Sequence, residues 1–484
     1  MTIRRIAVAV LLAWLPAAHA QLPAPVASAL TAAQIPPESV SMLVLRGDTV
    51  VAEHLSDRAR VPASTMKLVT TVAALDLLGP TFRARTELLT NGEVKKGVLE
   101  GDVVLRGGAD LDLNPAVLEK MMQSLRNQGI RRIAGNLVVD RTLFTPTRLD
   151  IGIPPFDEAP DAYYNVLPDA AIVNTNMVEV DMRSTGSALK LALYPALEGV
   201  SVGSDMELVD ADCAKWEDGW KTPDVRQEAD GRLKIMLHGT FPKNCDKAYS
   251  IGVIDRQEYA GRALRSAWKR VGGVFRGKVV EGKTPEGARV LAEHSSRMLP
   301  ELVRDTNKTS DNLFARTLFL SLGSLEADPV KGSRPIPGIE TQTTLIRADA
   351  TVRAWLRANG ISDDGLVIEN GSGLSRLERI SPIQLAGVLR IAQKGNWLPE
   401  VQASLPIAGV DGTLRRRLKD SPAAQRARLK TGTLNGVVAL AGFVPDAAGR
   451  QHIVVVMVND QRAGNGNGRA ITDALVDWVA RLQP

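Results

Sequence analysis

A serine three residues ahead of a lysine, Ser64 and Lys67 in Pro62-Ala63-Ser64-Thr65-Met66-Lys67, constrains this chain more than any other feature. It opens a run in which Leu68, Val72 and Leu75 recur at helical spacing until Gly79-Pro80 stops it. Residues three apart on a helix share a face, so the Ser64 hydroxyl and the Lys67 amine can meet one turn apart. A serine hydroxyl is a poor nucleophile until a neighbouring base takes its proton. A lysine that is partly desolvated near another cation can have its pKa lowered enough to be that base. The helix start also favours negative charge developing beside the serine. Two later motifs, Ser310-Asp311-Asn312 and Lys430-Thr431-Gly432, make the ordered set far more specific than the first pair alone. A fold that uses all three must close the 246 positions from 64 to 310 and house what lies between.

Compartment follows from the first residues. Met1-Thr2-Ile3-Arg4-Arg5, an apolar run over 6–15 and Ala18-His19-Ala20 before Gln21 form the pattern of a secretory signal peptide cleaved after Ala20. The apolar run is too short to span a bilayer, and no later stretch is long and apolar enough. The expectation is a soluble exported protein, periplasmic, with at most peripheral membrane association. Loss of Arg4 and Arg5 takes the formal charge from +5 to +3, too little to argue for nucleic-acid binding. In an exported chain Cys213 and Cys245 should form a structural disulfide, worth about 3–4 kcal/mol by the chain-entropy argument. His54, His238, His294 and His452 lack metal-ligand spacing, which argues against zinc and against a Ser-His-Asp mechanism. No metal or cofactor is expected.

Residues 36–53 read as two strands joined at Arg46-Gly47-Asp48, feeding directly into the Ser64 helix. Beyond Gly79-Pro80, short β-patterned runs recur at 101–105, 133–139, 173–180, 189–193 and 233–237, separated by Gly, Pro, Asp and Asn clusters. Residues 216–232, charged and weakly patterned, read as an exposed loop or hairpin near the disulfide. Helical spacing returns at 258–271, 298–303 and 313–322, placing Ser310-Asp311-Asn312 in a connection between helices. Residues 324–340 read as a surface loop, 343–359 and 382–392 as helices, and 437–444 and 453–458 as strands. The closing amphipathic helix carries Ile471, Leu475, Trp478, Val479 and Leu482 on one face, and Asp473 and Asp477 favour core packing over a membrane anchor.

With these motifs in place, the chain resembles the penicillin-binding protein 4 family of serine D-alanyl-D-alanine carboxypeptidases and endopeptidases, the low-molecular-mass class C penicillin-binding proteins. The resemblance covers most of the mature chain. It extends to Leu105-Arg106-Gly107-Gly108, Asn370-Gly371-Ser372-Gly373-Leu374-Ser375-Arg376 and Gly409-Val410-Asp411-Gly412-Thr413-Leu414. The family is also similar in inserting β-rich domains between its first two motifs. It implies an α/β (α+β) fold: a β-lactamase/transpeptidase-like domain of sheet flanked by helices, with a large β-rich insertion. The corresponding divisions are a signal peptide at 1–20, catalytic parts at 21–83 and 251–484, and an insertion of one or two domains at 84–250.

Carried over by residue, the resemblance makes Ser64 the acyl-enzyme nucleophile, Lys67 its general base and Ser310 the relay to the leaving D-alanine. Asn312 would hold the substrate backbone. Lys430 would bind the terminal carboxylate and help depress the Lys67 pKa. Thr431, Gly432 and Thr433 would complete the substrate strand, the two threonines bonding the carboxylate. Backbone N–H groups of Ser64 and Thr433 would form the oxyanion hole. Asp157, with Asp161 as alternative, would hold the diaminopimelate side chain of the stem peptide. The family often has aspartate where this chain has Asn370, so no catalytic role attaches to that residue. Implied partners are peptidoglycan stem peptides and β-lactam antibiotics, without nucleic acid; oligomeric state, a homodimer included, stays open. The rival readings are a non-catalytic wall-binding scaffold and a class A β-lactamase, the latter disfavoured by the large insertion.

Overall fold

The computed structural model describes residues 22–338 and 341–483, so the expected signal segment lies outside the described residues. Runs that stay apolar at nearly every position mark strands covered on both faces. Val40–Arg46, Val437–Pro445 and Gln451–Asn459 are such strands. They form an antiparallel five-stranded sheet in the order Thr49–His54, Val40–Arg46, Gln451–Asn459, Val437–Pro445, Arg428–Leu434. Successive side chains point to opposite faces. Ile453, Val455 and Met457 pack with the helices Lys67–Leu78, Thr344–Ala358 and Pro382–Lys394. Val454, Val456 and Val458 face the other way, onto Ala24–Ala33 and Asn467–Ala480. The C-terminal helix is therefore a core element. No described helix is long and apolar enough to cross a membrane.

The chain leaves this body after Lys67–Leu78 and builds further sheets around a second core. The largest is a mixed sheet ordered Val279–Glu281, Leu137–Asp140, Val103–Gly108, Arg85–Thr90, Arg289–Ser295. Leu189–Tyr194, Val178–Ser184 and Asp246–Ile251 form another, and Leu233–Pro242 pairs with Trp220–Gln227 in a third. Residues 251–295, grouped by sequence with the second catalytic part, pack here. They supply the helix Arg256–Arg270 and the strand Arg289–Ser295, which pairs with Arg85–Thr90. The helix Pro115–Asn127 also lies in this β-rich region, unforeseen from sequence. Asn114 accepts the N–H groups of Ala116 and Val117 at 3.0 Å each, Pro115 opens the helix, and Leu118, Met121, Met122 and Leu125 bury its inner face.

The reading of 216–232 as a loop or hairpin resolves to a hairpin, in which Trp220–Gln227 pairs antiparallel with Leu233–Pro242, and the reading of 324–340 as a surface loop needs correction. Residues 216–232 include the end of a 3-10 turn, Cys213–Gly219, and the strand Trp220–Gln227. Trp216 is buried edge-on to Trp220 and Tyr249, with ring centroids 5.4 and 5.1 Å apart. Such pairs contribute about 0.5–1.5 kcal/mol beyond burial. The charges on the outward face hide this pattern in the sequence. The Cys213–Cys245 disulfide, Cα atoms 5.4 Å apart, staples the turn to the strands behind it. Within 324–340 the chain forms a small hairpin, Leu325–Asp328 with Gly332–Pro335.

Candidate active site

Ser64 lies in a 3-10 turn, Ala63–Met66, that runs into the helix Lys67–Leu78, so serine and lysine straddle the junction rather than sharing one α-helical turn. Three segments close on that turn. Gly432 belongs to the edge strand Arg428–Leu434, where a Cβ would lie 2.7 Å from the Pro62 carbonyl and 3.0 Å from the Ser64 nitrogen. Gly373 has φ 81°, and a Cβ there would sit 1.9 Å from the Ala63 carbonyl oxygen. Ser310, at φ 65°, bridges the helices Leu299–Lys308 and Asn312–Leu322, as the sequence predicts for a connection. Ala63 is also left-handed, at φ 45°. A non-glycine residue in that region costs about 1–3 kcal/mol and persists where the surroundings enforce a functional geometry.

Lys67 Nζ lies 3.1 Å from Ser64 Oγ, 2.7 Å from Asn312 Oδ1 and 2.6 Å from the Ser372 carbonyl oxygen. As an ammonium it donates to all three. As a neutral amine it keeps two donors for Asn312 and Ser372 and turns its lone pair to the Ser64 hydroxyl. Across the cleft, Lys430 Nζ donates to Ser310 Oγ and to the Thr431 carbonyl, each at 2.8 Å. Both lysines are fully buried. Burial pushes Lys67 down to about 7; Asp311 and Glu378 oppose that and Arg316 adds to it. Lys430 is held well below the ordinary lysine range by burial and then by the Lys67 charge. Burial is thus the main cause of the Lys67 depression, and the charges of the two lysines oppose one another's protonation.

Ser64, Ser310, Thr431 and Thr433 open on one cavity of about 430 Å³. Thr413 joins them from the 409–414 motif, its hydroxyl 2.7 Å from Thr431 Oγ1. Arg415, Arg416, Arg417 and Arg469 complete the wall. Asn312, mostly buried, donates through Nδ2 to the Tyr164 carbonyl at 3.1 Å. The eight motif residues from Ser64 to Thr433 therefore converge. Asp157 stands outside this cavity. It is exposed and accepts from Tyr164 Oη and Asn165 Nδ2, each at 2.8 Å, and Tyr164, whose carbonyl accepts from Asn312, links it to the site. Asp161 is buried, its carbonyl taken by the Gly252 N–H at 2.8 Å.

Residues 23–482 match the model of the D-Ala-D-Ala carboxypeptidase 3 (S13) family. The chain belongs to that family. The D-alanyl-D-alanine carboxypeptidase DacB of Haemophilus influenzae is 27% identical over 439 residues, 90% of this chain and 87% of that protein. The D-alanyl-D-alanine carboxypeptidase of Actinomadura sp. is 28% identical over 452 residues, 90% of this chain and 80% of that one. The crystal structure of penicillin binding protein 4 from H. influenzae superposes with a TM-score of 0.77 at 25% identity, covering 94% of this chain and 99% of that one. This S13 chain is thus a peptidase by family, and its sheet, helices and insertion are the mixed α/β, transpeptidase-like fold expected.

The S13 site also contains residues that no motif flags. Glu378 is fully buried and its Oε1 accepts the N–H groups of Glu369, Asn370 and Gly371 at 3.2, 3.0 and 2.9 Å. It thereby clamps the loop whose Ser372 carbonyl holds Lys67. Burial pushes its pKa up, while those three N–H groups and Lys67 favour the carboxylate. Tyr163 Oη donates to Asp311 Oδ2 at 2.6 Å, fixing the cap of the helix Asn312–Leu322. Asn370 Oδ1 accepts from the Ser372 N–H and hydroxyl, a loop-shaping role consistent with assigning it no chemistry. A lone glutamate in Leu377-Glu378-Arg379 carries no spacing signal; only the fold reveals what it holds.

Proposed function

We propose that this S13 peptidase is a serine DD-peptidase. It cleaves D-Ala-D-Ala termini and D-Ala–diaminopimelate cross-links of peptidoglycan through an acyl-enzyme on Ser64. The observation that carries the reading is the contact of a buried, low-pKa Lys67 with the Ser64 hydroxyl, facing Ser310–Lys430 across one cavity. Neutral Lys67 takes the Ser64 proton as Oγ bonds to the penultimate D-alanine carbonyl carbon, and the N–H groups of Ser64 and Thr433 receive the oxyanion. The C–N bond then breaks. The proton returns through Ser310 to the leaving amine, and water hydrolyses the ester to restore Ser64. The substrate's terminal carboxylate supplies the negative charge that keeps Lys430 protonated while Lys67 stays neutral, with Thr431 and Thr433 bonding the same group. Asn312 holds the substrate backbone on the acyl side, and Asp157 holds the diaminopimelate ammonium once it exchanges Tyr164 and Asn165 for that partner.

β-lactams acylate the same serine, a reading supported by the penicillin-binding name of the H. influenzae relative. Export, with cleavage after Ala20, is supported by the n-region, the apolar run and the disulfide. Incubation with a pentapeptide stem and with a cross-linked muropeptide dimer tests the proposal. Release of D-alanine and of monomers is expected from wild type and not from Ser64→Ala. Retention of either substrate without turnover would favour the wall-binding scaffold, and rapid penicillin turnover a β-lactamase.

A further inference from the structure

The cavity that contains Ser64 is more basic than the chemistry of a single terminal carboxylate requires. Besides Ser64, Ser310 and the threonines, its wall holds Arg415, Arg416, Arg417 and Arg469, and no acidic side chain. Arg417 is committed: Nη2 donates to Asp473 Oδ1 at 2.6 Å and to Thr472 Oγ1 at 3.0 Å. Arg415, Arg416 and Arg469 are exposed, and their guanidinium groups have no hydrogen bond or ion pair among the described residues. They come from two elements brought together by the fold, the segment after the 409–414 motif and the helix Asn467–Ala480. The cavity volume of about 430 Å³ falls within the range of about 300–1,000 Å³ seen for pockets of drug-sized ligands. One alanine leaves most of that space unfilled.

The side of the cleft follows from the proposed chemistry, on which this inference rests. Thr431 and Thr433 receive the carboxylate of the leaving residue, so what lies beyond them in the same cavity receives the rest of the leaving chain. Three unpaired guanidinium forks there match carboxylates, which arginine binds in bidentate fashion. We infer that Arg415, Arg416 and Arg469 form a leaving-group subsite for a peptide that carries additional carboxylates, as the departing strand of a cross-link does and free D-alanine does not. The subsite acts on the choice between substrates, and the acyl-transfer machinery is unchanged by it.

The test compares two substrates with the same acyl donor, a pentapeptide stem that releases D-alanine and a cross-linked dimer that releases a peptide. In the triple variant Arg415→Ser/Arg416→Ser/Arg469→Ser, kcat/KM for the dimer should fall by about tenfold or more at low ionic strength. For the pentapeptide it should stay within about twofold, and so should benzylpenicillin acylation, which reports an intact site. A second measurement needs no variant. In wild type, amidating the dimer's carboxylates distal to the scissile bond should lower kcat/KM by a similar factor, and added salt should shrink the difference. An equal fall for both substrates, or no fall for the dimer and indifference to amidation, would overturn the subsite. Failure of wild type to form a penicilloyl adduct would instead overturn the serine-peptidase reading beneath it.

Discussion

Acylation of Ser64 should switch off as Lys67 gains a proton, and the pH at which it does so follows from the structure. Burial holds the Lys67 pKa at about 7, against about 10.4 for an unperturbed lysine. The base must be neutral to accept the Ser64 proton, so activity is present above that pKa and lost below it. The neutral fraction is about 90% at pH 8, about 10% at pH 6 and about 1% at pH 5. The second-order acylation constant should therefore drop tenfold per pH unit on the acid side, about 100-fold between pH 8 and pH 5. That constant reports the free protein, whose geometry is the one described. Timed quenching with benzylpenicillin and intact-mass detection measures it across pH 5–10. A limb still rising above pH 9 would mean that Lys67 keeps an ordinary pKa despite its burial. A profile flat down to pH 5 would mean that no lysine serves as base. Either result refutes the reasoning.

Three further outcomes are expected. Glu378→Gln removes a negative charge that raises the Lys67 pKa, so the acid limb should move to lower pH. The new buried amide nitrogen replaces Oε2, which has no hydrogen-bond partner, and should cost about 1–3 kcal/mol in urea unfolding; an unmoved limb would leave Glu378 with a merely structural role. Gly373→Ala places a Cβ 1.9 Å from the Ala63 carbonyl, and a shift of about 1 Å in the nucleophile turn should cost about 100-fold in acylation; wild-type rates would show that the loop does not position Ser64. Cys213→Ala/Cys245→Ala opens a bridge spanning 32 positions and should lower stability by about 3–4 kcal/mol. Because the bridge sits in the second core, acylation at 25 °C should persist, and an unchanged melting temperature would contradict its structural role.

The candidate site was legible because its chemistry is concentrated in three short motifs whose residue types leave few alternatives; the fold bonds Lys67 to Ser64 and Asn312, bonds Lys430 to Ser310, and opens both groups on one cavity. The sheet strands were legible because 437–444 and 453–458, the cores of Val437–Pro445 and Gln451–Asn459, are continuous runs without a polar side chain. The insertion's extent was not: whether Arg289–Ser295 joins one body or the other depends on its partner strand some 200 positions away, which local pattern cannot reveal. The helix Pro115–Asn127 carried a usable signal, Asn114-Pro115 before a helical apolar stripe, that a strand-rich context obscured. Glu378 and the three unpaired arginines could not be singled out because their roles depend on what the fold sets beside them. Desolvation of Lys67 was an expectation from its chemistry, but how complete its burial is, and which charges face it, are properties of packing.

The central claim is that Ser64 is the nucleophile and Lys67 its base. Peptide mapping after brief exposure to benzylpenicillin, on wild type, Ser64→Ala and Lys67→Ala, tests it most directly. The account predicts a penicilloyl adduct on the peptide containing Ser64 in wild type and none in either variant. An adduct on another residue, or one that forms at the wild-type rate in Lys67→Ala, would contradict it.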